Sequence, residues 1–140
     1  DRKSLTESAA TKAATKQAFE QASITRNIVD VIEVHDCFTI NEIICLEDLG
    51  FVEKGRGGKF VEDGKINLDG EIPTNTSGGL KSCGHPVGAT GIRQVTEIVK
   101  QLRGDAINQI GGASYGLNLN IGGSGATAII NILGKEPRKV

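Results

Sequence analysis

The stretch Ser82-Cys83-Gly84-His85-Pro86-Val87-Gly88-Ala89-Thr90-Gly91 decides how the rest of this chain is interpreted. Apolar residues follow it at helical spacing, at Ile92, Val95, Ile98, Val99 and Leu102. A histidine on a turn that enters a helix lies beside free backbone N–H groups and the positive end of the helix dipole. We therefore predict that His85 belongs to a functional site. The alternative is a structural histidine that fills a glycine-rich turn.

The segments around this stretch predict an α/β layered fold with a mixed sheet. The predicted order is helix, strand, helix, loop, extended segment, helix, strand and strand, the last two forming an antiparallel hairpin. A single domain is expected over residues 1–140, with no recognisable strand before the first helix. The predicted elements are helix Leu5–Ala22 capped at Ser4, strand Ile28–Val34, helix Ile40–Leu49, a helix from Gly91 to Arg103, and strands Ser114–Asn120 and Ala126–Leu133.

Residues 51–71 are rich in glycine and charge and have no sustained period. We predict a surface loop excursion there, with a short hairpin near Asp63-Gly64. Residues 72–79 are predicted to be extended, and Pro73 argues against a central strand.

Charge and composition exclude several classes of function. Sixteen basic and seventeen acidic residues give a net charge of −1, which argues against nucleic-acid and membrane-surface partners. Three cysteines at irregular spacing do not form a disulfide framework, so a reducing, cytoplasmic location is expected. The chain has no methionine and begins at Asp1, which suggests a processed chain or a fragment.

Cys37 is the second candidate for chemistry. It lies in His35-Asp36-Cys37-Phe38, directly after a β-branched run and before a predicted helix. Carboxyl ends of strands are where α/β sheets hold ligands, and a thiol beside a histidine and a helix N-terminus is expected to be reactive. A small buried apolar residue is the alternative. Cys45 is predicted to lie in the core, and Cys83 to line the site near His85.

Two other kinds of site are weighed against this one. His35-x-Cys37 and Cys83-x-His85 could form a tetrahedral zinc set, although their spacing differs from the usual knuckle. Gly122-Gly123-Ser124-Gly125 lies in a predicted hairpin and does not open a helix, so a nucleotide-binding loop is not expected. No metal or tightly bound cofactor is predicted.

Three motifs in this order resemble the C-terminal half of a thiolase: His35-Asp36-Cys37-Phe38, Gly84-His85-Pro86 and Asn120-Ile121-Gly122-Gly123. The resemblance covers nearly the whole chain and is greatest to the sterol-carrier-protein-type and archaeal-type branch. In that branch the motif H-D-C-F stands where other thiolases have N-E-A-F. The resemblance implies a thiolase-like layered fold and an acyl-CoA acyltransferase that makes or cleaves a 3-ketoacyl-CoA by a Claisen-type step.

The same resemblance implies roles for particular residues. His85 would activate the nucleophile and bind the thioester oxygen, and His35 would hold a water or that oxygen. Cys37 would replace the second acid–base cysteine of common thiolases, whose aligned position is Asn120 here. The backbone N–H of Gly122 would contribute to a second oxyanion hole. Coenzyme A, bound as substrate, is expected to contact a further set of residues: Ser77, Gly78, Gly79 and Asn120.

The family's nucleophilic cysteine lies in an N-terminal half that this chain does not contain. We therefore expect the chain to be inactive alone and to need an N-terminal thiolase half, in a homo-oligomer such as a dimer or tetramer. A non-catalytic assembly domain of thiolase ancestry and a small zinc-binding module are the alternatives. A ketoacyl synthase would prefer two histidines in its acid–base set, which the Cys37 motif opposes.

Overall fold

The structure, a computed structural model, describes residues 4–137. These residues form five α-helices, one short 3₁₀ helix and three strands, in an α/β order. The elements are α1 (Ala9–Ala22), the 3₁₀ helix Arg26–Ile28, β1 (Val31–Glu33), α2 (Thr39–Asp48), α3 (Gly57–Glu62), α4 (Gly79–Cys83), α5 (Thr90–Arg103), β2 (Tyr115–Gly122) and β3 (Thr127–Gly134).

The sheet is mixed, with the strand order β1-β2-β3. β1 runs parallel to β2, with Glu33 opposite Asn118, and β2 pairs antiparallel with β3 across the hairpin. Thr74 adds a single parallel bridge to Ile32 on the other side of β1. The predicted α/β fold with a mixed sheet and a terminal antiparallel pair is confirmed.

Helices cover both faces of this sheet. One face of β1 and β2 contributes Ile32, Leu117 and Leu119 to a core that includes Phe19, Leu46 and Phe60 from the helices of that side. The other face contributes Val31, which packs with Ile98 and Leu102 of α5. Alternate residues of each strand therefore serve opposite layers, as the pleat requires.

Helix α5 lies close against β2 because Gly116 has no side chain. A Cβ on this residue would overlap Cγ2 of Ile98 and would lie 3.2 Å from Cγ1 of Val31. Gly104 closes α5 after Arg103: it adopts φ 83°, and its N–H bonds to the carbonyl oxygens of Lys100 and Gln101. The close contact of α5 with β2 at Gly116 sets where the first turn of α5 lies relative to the strand ends.

Helix α1 begins later than the capping box at Ser4 predicted. Ser8 is the N-cap, and its hydroxyl accepts a hydrogen bond from the Thr11 N–H at 3.2 Å. The Ser8 N–H in turn donates to a carboxylate oxygen of Asp48 at 2.6 Å, a contact across 40 residues. A distant acceptor therefore fixes the first turn. The predicted strand Ile28–Val34 is also shorter in the structure: β1 spans only Val31–Glu33, and Ile28 belongs to the preceding 3₁₀ helix.

Residues 51–71 are more than a surface excursion, and the hairpin predicted near Asp63 is wrong. The segment contains α3, and Phe60 is buried in the core with Val52. Gly64 adopts φ 72° in a turn after the helix, with no strand beside it. The short helix α4 begins at Gly79, the last residue of the segment 72–79 that was predicted to be extended. Among residues 4–137, no helix is both long and apolar enough to cross a bilayer.

Candidate active site

Parallel pairing of β1 and β2 brings two of the predicted motifs together at one edge of the sheet. Glu33 is paired with Asn118, so the same register two residues later places His35 beside Asn120. The turn after His35 carries Cys37 and enters α2. The turn before α5 carries His85 to the same edge.

The two histidines of the chain are in direct contact. The ring centroids of His35 and His85 are 4.9 Å apart, and the ring planes meet at 83°, an edge-to-face arrangement. The sequence separates these residues widely, and only the fold joins them. Of the four predicted catalytic residues, these two are therefore shown to lie together.

His35 is buried, with 6% of its surface exposed. Its Nδ1 lies 2.8 Å from Oδ1 of Asn120, and its carbonyl oxygen accepts a hydrogen bond from the Asn41 amide. Burial lowers the pKa of His35 below its ordinary value, with a smaller contribution in the same direction from the neighbouring His85. A neutral imidazole is favoured at this position near pH 7.

His85 is exposed on the open side of the molecule. Its Nδ1 lies 2.7 Å from the hydroxyl oxygen of Thr90, a residue that is fully buried in the first turn of α5. The Thr90 hydroxyl also bonds to the carbonyl oxygen of Pro86 at 3.2 Å. The turn thus fixes the ring while leaving it accessible from solvent.

The three cysteines occupy different environments and all are free thiols. Cys37 is half-buried in the turn between His35 and α2. Cys45 is 1% exposed, as the prediction of a core position required, and burial raises the pKa of its thiol. Cys83 is exposed, and its Sγ donates to the carbonyl oxygen of Ser77 at 3.0 Å.

Asp36 joins the Cys37 turn to the segment that leads to His85. Its buried carboxylate accepts hydrogen bonds from the backbone N–H groups of Leu80 at 2.8 Å and Lys81 at 3.4 Å. Gly79 adopts φ 64°, and a Cβ there would overlap the Asp36 carboxylate. A carboxylate at the start of α4 also satisfies backbone donors that the helix leaves unpaired.

Ser77 lies at the centre of a buried polar group. Its hydroxyl bonds to Glu33 Oε2 at 3.1 Å and to Arg93 Nη1 at 2.5 Å, and Arg93 lies 3.4 Å from the same carboxylate oxygen. Burial raises the pKa of Glu33 to about 7, against the opposing effects of Ser77 and Arg93. The Ser77 side chain is thus directed inward, and the N–H groups of Gly78 and Gly79 are bonded within the loop, to the Asn75 carbonyl oxygen and the Ser77 hydroxyl oxygen. Contact of this loop with coenzyme A stays a prediction.

Glu42 and Asn75 form a second polar contact behind the Cys37 turn. The Asn75 amide donates to Glu42 Oε1 at 3.2 Å, and its Oδ1 accepts from the Val34 N–H at 2.8 Å. Burial, with the nearby Asp36 carboxylate, raises the pKa of Glu42 to about 7. These contacts tie α2 to the end of β1, where His35 begins its turn.

The remaining predicted positions are less closely connected to the histidines. Gly122 lies two residues beyond Asn120 on β2, opposite Thr127, and is exposed. Its role in an oxyanion hole stays a prediction. Within residues 4–137, no three His, Cys, Asp or Glu side chains are grouped so as to hold a metal ion, so the zinc set of His35, Cys37, Cys83 and His85 is not assembled there.

An open, largely apolar cavity of about 440 Å³ is lined in part by Asn120, the hydrogen-bond partner of His35. Exposed Val87 and Ile92 line it from the α5 side, and Ile129 lines it from β3. Its polar wall is formed by three asparagines of the sheet, Asn118, Asn120 and Asn131. The cavity therefore runs from the His35–Asn120 contact along the outer face of α5.

Comparison with known proteins shows the family of this chain. A protein-family model described as thiolase C-terminal domain-like matches residues 1–135. The chain belongs to this family. The thiolase relatives include the acetyl-CoA acetyltransferase of Methanothermobacter thermautotrophicus, which is 53% identical over 136 residues, 96% of this chain and 36% of the relative.

Two further proteins show the breadth of the similarity. Human sterol carrier protein 2 is 43% identical over 119 residues, covering 84% of this chain and 22% of that protein. The solved structure of an Ltp2–ChsH2(DUF35) aldolase superposes with a TM-score of 0.82 at 28% identity, covering 95% of this chain and 34% of that one. The chain spans about a third of the length of the archaeal acetyltransferase.

The structure adds contacts to the site that the motifs did not predict. Asp36 lay within a quoted motif without an assigned role, and Asn120 was predicted to contact coenzyme A; only tertiary contacts show that Asp36 holds α4 and that Asn120 holds His35. Thr90 follows His85 by five residues, and that spacing into a helix was a usable signal for a partner of the histidine. Glu33 and Arg93 meet across 60 residues, and neither carried a local signal.

Proposed function

We propose that this chain is the acid–base half of a thiolase-type acyl-CoA acyltransferase. The observation that carries the proposal is the edge contact of His35 and His85 at 4.9 Å, in a turn cluster that also holds Cys37. Acyl transfer between thiols requires groups that take and return protons at one centre. The relatives named acetyl-CoA acetyltransferase support this class of reaction.

His85 activates a nucleophilic thiol in the proposed reaction. It takes the proton of a cysteine supplied by an N-terminal half, and the thiolate attacks the acyl-CoA carbonyl carbon. The carbon–sulfur bond to coenzyme A then breaks, and the departing thiolate of coenzyme A receives the proton from His85. The exposed position of His85 is what an approaching thioester needs.

Cys37 moves the proton at the α-carbon of the acyl group in the second step. In the synthetic direction its thiolate removes the α-proton of a second acyl-CoA; the resulting carbanion attacks the acyl-enzyme carbonyl carbon, and the carbon–sulfur bond to the nucleophilic cysteine breaks. In the cleavage direction the nucleophilic thiolate attacks the 3-keto carbon, the carbon–carbon bond breaks, and the thiol of Cys37 gives a proton to the departing carbanion. Asn120 has no ionisable group and instead holds His35. Gly122 N–H is proposed to bind the developing oxyanion, and the Gly78–Gly79 backbone to contact coenzyme A.

An N-terminal half supplies what this chain lacks in the proposal. Cys45 is buried, Cys83 is bonded to a carbonyl oxygen, and Cys37 is assigned to proton transfer. The apolar cavity lined by Val87, Ile92 and Ile129 is the surface against which that half is proposed to pack. A homo-oligomer of the combined protein follows as a proposal from the same family.

The test measures thiolysis of acetoacetyl-CoA by free coenzyme A, monitored through the loss of absorbance of the ketoacyl thioester. The chain is assayed alone and fused to the part of the Methanothermobacter acetyltransferase that precedes the matched segment. We expect no turnover alone, turnover by the fusion, and a loss of at least about 10²-fold in the Cys37→Ala and His85→Ala fusions. The intact archaeal enzyme is the control for a working N-terminal half.

Turnover by the isolated chain would overturn the divided site. An inactive fusion beside an active archaeal control would overturn the acyltransferase function. The second candidate is a non-catalytic assembly domain, which the exposed Val87, Ile92 and Ile129 favour because they offer a packing surface independent of chemistry. If this second candidate is correct, the fusion is a stable protein whose turnover does not change when His35 or His85 is substituted.

A further inference from the structure

Arg93 connects α5 to the end of β1 through one side-chain nitrogen. Its Nη1 donates to the Ser77 hydroxyl oxygen at 2.5 Å and lies 3.4 Å from Oε2 of Glu33. The Ser77 hydroxyl donates to the same carboxylate oxygen at 3.1 Å, and the Ser77 backbone N–H donates to Oε1 at 3.3 Å. The Glu33 carboxylate, whose side chain is fully buried, is therefore bonded to both of the other residues.

These three residues lie in three segments that meet at the candidate site. Glu33 is the last residue of β1, two residues before His35. Ser77 lies in the segment that precedes α4. Arg93 is the fourth residue of α5, directly after the turn that carries His85. A single guanidinium therefore joins the two segments that carry the histidines.

The other hydrogen bond from α5 to a strand goes to β2. Gln94 Nε2 donates to a carbonyl oxygen of that strand at 3.1 Å. The apolar contact of α5 with β1, between Ile98 and Val31, lies more than one turn further along the helix. Without Arg93, the first turn of α5 would stay close to β2 but would lose its polar contact with β1. It would then be able to pivot about the β2 contact, and His85 would move with it.

The geometry of the guanidinium is that of a bridge between two residues. Nε and Nη2 of Arg93 are buried and have no hydrogen-bond partner among residues 4–137. Compensation of a buried charge alone would favour a side-on contact of two nitrogens with the carboxylate. Arg93 instead divides one nitrogen between Glu33 and the Ser77 hydroxyl. The position of this side chain is therefore defined by both β1 and the segment before α4.

We propose that Arg93 is a positioning residue, which holds the first turn of α5, and His85 with it, against the end of β1. It acts through Ser77 and Glu33, and the contact that it maintains is the edge approach of the two histidine rings at 4.9 Å. The proposal rests on the proposed function only for its effect on turnover. Arg93 itself transfers no proton, since a guanidinium stays charged at neutral pH.

The variants separate position from charge. Arg93→Met alone leaves the Glu33 carboxylate buried without its cation, which destabilises the fold whatever Arg93 positions. Glu33→Gln/Arg93→Met removes that charge as well, so its midpoint of urea unfolding should recover relative to Arg93→Met. The position of α5 should not recover, because no side chain then joins its first turn to β1. Arg103→Gln, at an exposed place in the last turn of α5, is the matched control.

The direct readout is the histidine NMR spectrum of the 140-residue chain at about pH 8, above the Glu33 pKa of about 7. The chain has two histidines, so His85→Ala assigns the ring protons and gives the His35 shifts without a neighbouring ring. We expect the double variant to move the His35 shifts toward those of His85→Ala. Arg93→Lys, which keeps the charge and its donors, should move them less, and Arg103→Gln should leave them unchanged. Wild-type shifts in the double variant would overturn the positioning role.

Activity of the fusion protein separates this proposal from the proposed function. The double variant should lower kcat by at least about tenfold with little change in KM, because His85 is misplaced while substrate contacts are kept. Recovery of kcat together with stability would reduce Arg93 to charge compensation, and a rise in KM at unchanged kcat would assign it to substrate binding; either result would overturn the proposal. An inactive wild-type fusion with the expected histidine shifts would overturn only the acyltransferase function. An active wild-type fusion whose double variant keeps the wild-type shifts would overturn only the positioning role.

Discussion

Asp36 shows how much a single buried carboxylate organises at the residue scale. It lies between His35 and Cys37 in the chain, yet its hydrogen bonds go to Leu80 and Lys81. The turn that carries Cys37 is thereby fixed to the segment that leads to His85. A charged acceptor with two backbone donors is a strong arrangement, since such bonds exceed those between neutral groups.

Asp36→Ala should lower the free energy of unfolding by about 1–3 kcal/mol, because two backbone N–H groups lose their acceptor. Asp36→Asn keeps one oxygen and should lose less. Urea denaturation followed by circular dichroism measures both. Asp105→Ala is the control, an exposed position where the change should stay within about 0.5 kcal/mol. Equal losses at both positions would contradict the assigned role.

Glu42 should make stability depend on pH. Its pKa rises from 4.5 to about 7 on folding, so the folded protein binds more protons than the unfolded chain between these values. Stability attributable to Glu42 is therefore greatest at low pH and falls as pH rises through this window. Glu42→Gln keeps an oxygen for the Asn75 amide and has no charge to bury. Its advantage over wild type should grow across the window by on the order of 2 kcal/mol and then level off above it.

Urea unfolding of both proteins at pH values below and above the window measures this difference. Comparison within the pair cancels the contribution of Glu33, whose pKa is raised in the same direction. Glu20→Gln, on an exposed part of α1, is the control and should show a constant difference. A constant difference for Glu42→Gln as well would mean that its carboxyl titrates normally in the folded protein.

At the scale of elements, the contact of α5 with β2 places Thr90 and therefore His85. Gly116→Ala should push α5 away from the strand, because the added Cβ overlaps Ile98 Cγ2 and also meets Val31. We expect a loss of about 1–3 kcal/mol in the free energy of unfolding, the usual range for an overpacked core. Gly111→Ala is the control, since nothing lies within 4 Å of its Cβ position. Thermal unfolding of the two variants gives the comparison, and a similar loss in both would contradict a close α5–β2 contact.

The elements that the sequence predicted are those whose cause is local. Helix α5 has an apolar stripe and a closing glycine, and the β2–β3 hairpin has two segments with regularly placed apolar residues on either side of a glycine turn. Helix α4 has five residues and depends on Asp36, 44 residues away, for its first turn. The start of α1 likewise depends on Asp48. Such ends are decided by tertiary contacts that periodicity does not contain.

The same division holds within the candidate site. The motifs predicted His35, Cys37 and His85 because histidine and cysteine are unusual enough to be noticed beside a strand end or a helix start. They did not predict that Asn120 would hold His35, since that contact arises from the parallel register of β1 and β2. The sequence therefore identifies the residues that can carry chemistry, whereas the orientation of their side chains is known only from the tertiary structure.

At the scale of the whole molecule, the uncovered side of α5 is the most unusual surface. Val87 is 79% exposed, Ile92 71% and Ile129 55%, and all three line one cavity, whose wall includes Asn120, the partner of His35. Scattered exposed apolar residues are ordinary, but a group around a cavity beside a candidate site indicates contact with another part of a protein. In the proposed function that part is the N-terminal half, which brings the nucleophile.

Ile92→Lys should therefore weaken association with the N-terminal half of the archaeal acetyltransferase while leaving this chain's own stability within about 0.5 kcal/mol. A buried lysine in the contact would lower affinity by at least about tenfold, since desolvating an unpaired charge is costly. Titration of the two halves by isothermal calorimetry measures the affinity. Ile107→Lys is the matched control, because Ile107 is 95% exposed but does not line the cavity. If both substitutions weaken binding equally, charge alone explains the effect; if neither does, the N-terminal half packs elsewhere and His85 faces a different partner.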